Sequence, residues 1–150
     1  MQITLERVNA ANFDSLTALL GQLAEFEHLR GPDAEAKERL RRDALSATPM
    51  FEGYLALFEA EPVGFITLCT TYSTFPARPV LYLEDLFVVE PYRRSGVGRQ
   101  MFDFCVSLAQ ERSCVRLEWN VLNWNSAAIG FYQKNNAYPV RAWTWYRLPL

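Results

Sequence analysis

The residues best suited to chemistry begin with Arg93-Arg94-Ser95-Gly96-Val97-Gly98, which stands between an apolar run and a helical pattern. Unpaired N–H groups at a helix start point outward, and the helix dipole favours negative charge there. Glycine lets the main chain approach a ligand with no Cβ in the way, and Arg93, Arg94 and Arg99 add positive charge. A diphosphate is the anion this turn suits. Arg99-Gln100 follows Gly98 where a P-loop needs Lys-Ser/Thr, and Met101 stands where a dinucleotide fingerprint needs its third glycine. The alternative is a strand-to-helix turn that needs glycine for its shape alone.

Two further groups accompany the turn. In the run Leu81-Tyr82-Leu83-Glu84-Asp85-Leu86-Phe87-Val88-Val89, alternation predicts Tyr82, Glu84, Leu86 and Val88 on one face. Leu83, Asp85, Phe87 and Val89 fall on the other, so the two carboxylates point opposite ways. A charge inside so apolar a strand is costly unless paired or used, which makes one acid a candidate for lining a polar cleft. An ion pair with Arg116 or Arg147 is the alternative. In Asn125-Ser126-Ala127-Ala128-Ile129-Gly130-Phe131-Tyr132, the small residues permit close helix packing. Asn125 sits at the predicted start and Tyr132 almost two turns on, so both can flank one ligand. A helix cap and a core tyrosine are the plainer reading of the same pair.

The elements that must position these groups follow from periodicity. A strand at 3–8 precedes a helix with Phe13, Leu16, Leu19, Leu20, Leu23 and Phe26 on one face, starting at Ala11 or Asn12. Gly31-Pro32 ends it, and residues 33–45 read as a charged surface helix with Leu40 and Ala44 inward. Strands at 54–58 and 63–72 form a hairpin through Glu59-Ala60-Glu61-Pro62, and a third strand spans 80–89. Val97, Met101, Phe104, Cys105 and Leu108 mark the helix after the turn. A strand at 115–121, a short helix at 126–135 and terminal strands from Ala137 complete a mixed α+β order.

The 150 residues, half of them apolar, fit one domain spanning 1–150. With 15 basic and 17 acidic side chains, the formal charge of -2 argues against an electrostatic nucleic-acid binder. No apolar run reaches the roughly 18 residues of a membrane span, and MQITLERVNA lacks the apolar segment of a signal peptide. A soluble, cytoplasmic protein is expected. Cys69, Cys105 and Cys114 have no C-x-x-C spacing, and His28 is the single histidine. Reduced buried thiols and no metal site follow.

Together, the R-x-x-G-x-G turn at Arg93, Gly96 and Gly98 and the N-x-x-A-x-x-x-Y pattern at Asn125, Ala128 and Tyr132 resemble the GNAT superfamily of acetyl-CoA-dependent N-acetyltransferases. More narrowly, YLEDLFVVEPYRRSGVG, WNSAAIGFYQKNNA and QLAEFEH are similar to the spermidine/spermine acetyltransferase group, which includes the thialysine acetyltransferases. The resemblance covers nearly the whole chain. It implies a twisted mixed sheet, flanked by helices, whose strands at 80–89 and 115–121 splay apart to admit pantetheine. It further implies that main-chain groups of Leu86, Phe87 and Val88 pair with the pantetheine amides. The turn formed by Arg93, Arg94, Ser95, Gly96, Val97, Gly98 and Arg99 would hold the pyrophosphate. Asn125, with Ser126 and Ala128 beside it, would lie near the pantetheine arm, and Tyr132 would act as general acid to the thiolate.

The reaction so implied is direct attack of a neutral amine on the thioester in a ternary complex, with no covalent enzyme intermediate. An alkylamine is mostly protonated at neutral pH, so Glu84 is a candidate base; it is equally a candidate for binding a second cation. Glu27 and Tyr82 join it in the implied amine site. The polyamine enzymes carry a further glutamate where this chain has Arg141-Ala142-Trp143-Thr144-Trp145-Tyr146, and the loop at 73–78 lacks their acid and tryptophan. A shorter diamine, lysine-like or thialysine-like acceptor fits that change. Arg94 replaces a common glycine, which negative φ would allow, and Asn136 replaces a helix-ending glycine. The family also implies a homodimer; the aromatic tail, Trp143–Tyr146, is a candidate for its interface, and core packing is the equal alternative for those residues. An acyl-CoA-binding regulatory module and an acetyltransferase acting on a protein amine are the alternative functions.

Overall fold

The computed structural model describes residues 1–150 as two compact units, 1–119 and 120–150. The first unit holds five strands in the order β1 (Thr4–Arg7), β2 (Glu52–Phe58), β3 (Glu61–Ser73), β4 (Arg78–Val88) and β5 (Leu117–Glu118). The first four pair antiparallel, and β5 runs parallel to β4. Three helices cover this mixed sheet: α1 (Phe13–Phe26), α2 (Ala34–Leu45) and α3 (Val97–Glu111).

The apolar period of α1 buries Phe13, Leu16 and Leu19 against Leu55, Phe65 and Phe87 of the sheet. The Asp33 carboxylate accepts a hydrogen bond from the Ala36 N–H at 2.9 Å and starts α2 as an N-cap. As the charge pattern predicts, α2 buries no residue fully and leans on the core through Leu40, Ala44 and Leu45. On the opposite face, α3 buries Val97, Met101, Phe102, Cys105 and Ala109. Tyr54 meets Phe104 there, with ring centroids 4.8 Å apart. The hairpin between β2 and β3 turns through Glu59 and Ala60, both at positive φ, the handedness that matches strand twist.

One feature of β4 overturns the predicted faces. Its register with β3 runs Thr67↔Asp85 and then Leu68↔Leu83, so Glu84 is an extra residue in a bulge. Phe65 packs against α1, which puts Thr67 and Cys69 on that face and, by pairing, Tyr82, Asp85 and Phe87 with them. Leu83 falls on the α3 face with Leu68. Glu84, between Leu83 and the bulge partner Asp85, shares the α1 side. The two carboxylates therefore lie on the same face, because the bulge breaks the alternation on which the opposite expectation rests.

Of the strand predicted at 115–121, Leu117 and Glu118 are in register with β4. Main-chain bonds from the Val115 N–H to the Pro79 carbonyl and from the Leu81 N–H to the Arg116 carbonyl precede them, and no strand pairing continues beyond Glu118. Beyond Tyr82, β4 has no strand on that side, so its edge is open through Val88. Only Cys105 of the three thiols is fully buried; Cys69 and Cys114 are half-buried.

The second unit contains α4 (Ser126–Lys134), capped by Asn125. Asn136 follows the helix at φ 63°, the left-handed conformation in which it replaces glycine. No strand follows. Pro139 and Pro149 remove two donors, the unit offers no strand for pairing, and residues 141–150 are all exposed.

Candidate active site

The open edge of β4 presents main-chain groups at alternate residues. The Val89 N–H bonds the Val63 carbonyl at 3.0 Å, and the continuous register to Asp85 makes Phe87 the next residue bonded to β3. Leu86 and Val88 therefore direct their N–H and C=O groups to the open side. Phe87, expected to contribute main-chain groups there, has them engaged with Phe65 and instead inserts its ring into the core. The Val88 carbonyl is also engaged, by the Arg93 Nε–H at 2.8 Å. What remains is the Leu86 pair and the Val88 N–H.

A single 3-10 turn, Glu90–Tyr92, leads from β4 to the glycine turn. Gly96 takes φ 89°, and a Cβ there would meet nothing within 4 Å, so the approach to the turn is open. No side chain caps the N-terminus of α3, which leaves its first N–H groups directed outward. The three arginines differ from the expectation of shared positive charge. The Arg93 guanidinium lies 4.6 Å from the Phe26 ring centroid and 5.5 Å from that of Phe87, held to the protein. Arg99 is paired with Asp103 at 2.8 Å. Arg94 alone is exposed and without an ion pair. Its φ is 62°, against the negative value expected, because the reversal into α3 needs left-handed backbone at both Arg94 and Gly96. The Ser95 hydroxyl donates to the Tyr92 carbonyl at 2.5 Å and closes the turn, which leaves its main chain for a ligand. Val97 is fully buried, and Gly98 follows it in the first turn of α3.

Beside this edge lies an acidic face. Asp85 accepts a hydrogen bond from the Thr67 hydroxyl at 2.5 Å. Burial, reinforced by the charges of Glu84 and Glu27, pushes its carboxyl up to about 6, while the Thr67 bond opposes the shift. Glu27, at the C-cap of α1, is itself raised by burial. Burial also raises the Tyr82 hydroxyl, with Glu84 the next cause. Arg116 pairs with Glu118, so it is not the partner of either β4 acid. Asp85 thus feels the charges of both Glu84 and Glu27, and Tyr82 those of Glu84 and Asp85, so the structure gathers Glu27, Tyr82 and Glu84 about Asp85. Sequence reasoning placed Asp85 on the wrong face; no periodicity signals a bulge.

In the second unit, the Asn125 Oδ1 accepts the Ala128 N–H at 3.1 Å. This is the capping role that was the plainer expectation, and it leaves the Asn125 amide nitrogen as a donor. Ser126 is the exposed first residue of α4, and Tyr132 is half-buried with its ring 5.3 Å from that of Phe131. Asn125 and Tyr132 are seven residues apart, so one side of α4 presents both.

The first unit thus combines a mixed sheet with an unpaired strand edge, an open glycine turn at an uncapped helix start and an adjoining carboxylate face. The sequence pattern of the acetyltransferase (GNAT) family matches residues 14–138. A thialysine N-ε-acetyltransferase of Caenorhabditis elegans is 34% identical over 119 residues, 79% of this chain and 72% of that one. An L-ornithine N5-acetyltransferase of Arabidopsis thaliana is 36% identical over 85 residues, 57% of this chain and 37% of that one. Among solved structures, an aminoglycoside N-acetyltransferase in complex with CoA superposes with a TM-score of 0.82 at 18% identity, over 99% of this chain and 96% of that one, a likeness of fold. The chain belongs to the GNAT acetyltransferase family and is an N-acetyltransferase. The family's acetyl donor is acetyl-CoA. No group of residues suited to a metal ion occurs, and no helix is long and apolar enough to cross a membrane.

Proposed function

We propose that this enzyme transfers acetyl from acetyl-CoA to a primary amine of a small molecule, a compact diamine, polyamine or lysine- or thialysine-like compound, by direct attack with both substrates bound. The observation that carries the reading is the shared face of Glu27, Glu84 and Asp85, which offers anions to a cationic amine and no arginine or lysine to neutralise the two β4 acids. Both named relatives act on amino acids with a side-chain amine.

The residues divide the work between two ends. Leu86 and the Val88 N–H suit the amides of an extended arm, and Gly96, the α3 N-terminus and Arg94 suit a diphosphate. Acetyl-CoA, when bound, supplies the acetyl group as an activated thioester. Asp85 binds the incoming ammonium, and Glu84, exposed in the bulge, accepts its proton directly or through water. Asn125 offers its amide nitrogen to the arm, and the Tyr132 hydroxyl gives a proton to the departing sulfur. On this reading the two units act as one domain, and the chain pairs as a homodimer in the cytoplasm.

The test is CoA release, read with a thiol reagent, against spermidine, spermine, putrescine, lysine, thialysine and ornithine. We expect selective turnover that falls by about 10²-fold or more in Tyr132→Phe while acetyl-CoA affinity holds. No turnover with any amine, given confirmed acetyl-CoA binding, overturns the reading in favour of a protein acceptor or a regulatory role. Full activity of Tyr132→Phe across a pH series removes its assignment as the acid.

A further inference from the structure

Thr17 and Thr67 are the buried polar side chains of the chain, and their hydroxyls are used differently. Thr17 bonds back to the Asp14 carbonyl within its own helix. Thr67, 4% exposed, reaches across the sheet to Asp85 Oδ2 at 2.5 Å. The bulge makes that bond possible. Were Glu84 paired in a regular ladder, it would stand opposite Thr67, and Asp85 would fall opposite Ile66 on the α3 side, away from Thr67. The Asp85 carboxylate has no cationic partner and no second side-chain hydrogen bond. The titratable groups around it are Glu84 and Tyr82 on β4, Cys69 on β3 and Glu27 at the end of α1. Burial and its acidic neighbours all oppose ionisation of Asp85, and the Thr67 hydroxyl is the one group that favours it.

We propose that Thr67 is a positioning residue for the acceptor: its hydroxyl holds Asp85 as an oriented anion, one carboxylate oxygen tied to the sheet and the other left for the ammonium of the incoming amine. The inference rests on the proposed reading of this face as the amine site. A bulge that aims a carboxylate, a buried hydroxyl that fixes it and the absence of any internal cation leave the charge available to a ligand. An apolar residue at 67 would preserve the strand and lose that control.

Thr67→Val, Thr67→Ser and Asp85→Asn are compared by steady-state kinetics with thialysine over a pH series. Carboxyl ¹³C titration of Asp85 in wild type and the two Thr67 variants reads the same bond without any substrate. In Thr67→Val we expect the Asp85 midpoint and the acid limb of kcat/KM to move up by roughly one pH unit. The amine KM at pH 7 rises several-fold, the acetyl-CoA KM stays unchanged, and Thr67→Ser restores the wild-type profile. An unchanged midpoint and amine KM in Thr67→Val, where Asp85→Asn has lost amine affinity, overturns the role of Thr67 and leaves the site reading intact. A wild-type amine KM in Asp85→Asn overturns both. Should Thr67→Val fail to fold, Thr67→Ala set against Thr67→Ser gives the same comparison.

Discussion

Arg93 and Val88 are joined by a 2.8 Å hydrogen bond from the Arg93 Nε–H to the Val88 carbonyl oxygen, so the first arginine of the glycine turn ties down the end of the strand before it. Stacked on Phe26 and Phe87, it fastens β4 to the end of α1. The turn is thereby fixed relative to the open strand edge, and its free positive charge falls to Arg94.

Arg93 and Arg94 should therefore separate in mutagenesis. Arg93→Ala removes a charged hydrogen bond and two ring contacts, an expected loss of about 2 kcal/mol read as a lower Tm. Arg94→Gly relieves a left-handed backbone that disfavours other residues by about 1 kcal/mol, so its Tm rises slightly. The same variant should bind acetyl-CoA several-fold more weakly by calorimetry. An unchanged Kd would remove Arg94 from the diphosphate site.

Two carboxylates give opposite pH dependences of stability. Asp85 stays protonated in the folded chain up to about pH 6, whereas the unfolded chain ionises near its ordinary value of 3.8. The folded state binds the extra proton in that window, so stability falls as pH rises through it. Asp85→Asn should flatten the fall and leave the protein about 2–3 kcal/mol more stable at pH 7. Glu52 behaves inversely: Arg112, bonded to it at 2.5 and 2.8 Å, holds its carboxyl below the ordinary value. Its contribution is present above the unfolded pKa and disappears as pH falls through the folded one. Urea unfolding of wild type, Asp85→Asn and Glu52→Gln across pH 3–8 distinguishes the two.

Gly64 lies where β3 meets both β4 and α3. A Cβ added there would sit 2.5 Å from the Phe87 carbonyl oxygen and 3.3 Å from Met101 Cε and Sδ. The methionine can yield, but the main-chain oxygen cannot do so without moving β4. Gly64→Ala is expected to cost about 1–3 kcal/mol. By displacing the strand edge at Val88, it should also weaken acetyl-CoA binding, measurable as a higher Kd in the folded fraction.

The proposed homodimer has a direct test in the tail, where Trp143, Trp145 and Tyr146 are 77%, 74% and 91% exposed. Sedimentation at micromolar concentration should give a species of twice 17.3 kDa, and Trp143→Ser with Trp145→Ser should shift it toward the monomer. A single 17.3 kDa species in the wild type removes the pairing.

Helices and hairpins were legible because Leu16, Leu19, Met101 and Cys105 repeat at the period of the face they bury. The turn at Arg93–Gly96–Gly98 and the Asn125 cap were legible because special backbone positions restrict residue type. The partition of roles was not. Whether Arg93, Arg94 or Arg99 is free depends on Val88, Phe26 and Asp103, contacts that no local spacing encodes. The side on which Asp85 emerges depends on one unpaired residue in the neighbouring ladder. The predicted terminal strands failed for a related reason: Trp143 and Trp145 have strand-forming side chains, yet a strand exists only where another accepts its hydrogen bonds.

The open edge of β4 also bears on how the protein behaves in concentrated solution. Any exposed strand edge is a template for accretion of further chains. Here the Arg93 side chain occupies the Val88 carbonyl, and the bulge at Glu84 kinks the strand just before Leu86, so the unprotected stretch is too short to seed a growing ladder. The same two devices that leave room for one extended ligand should keep the protein colloidally quiet when none is bound.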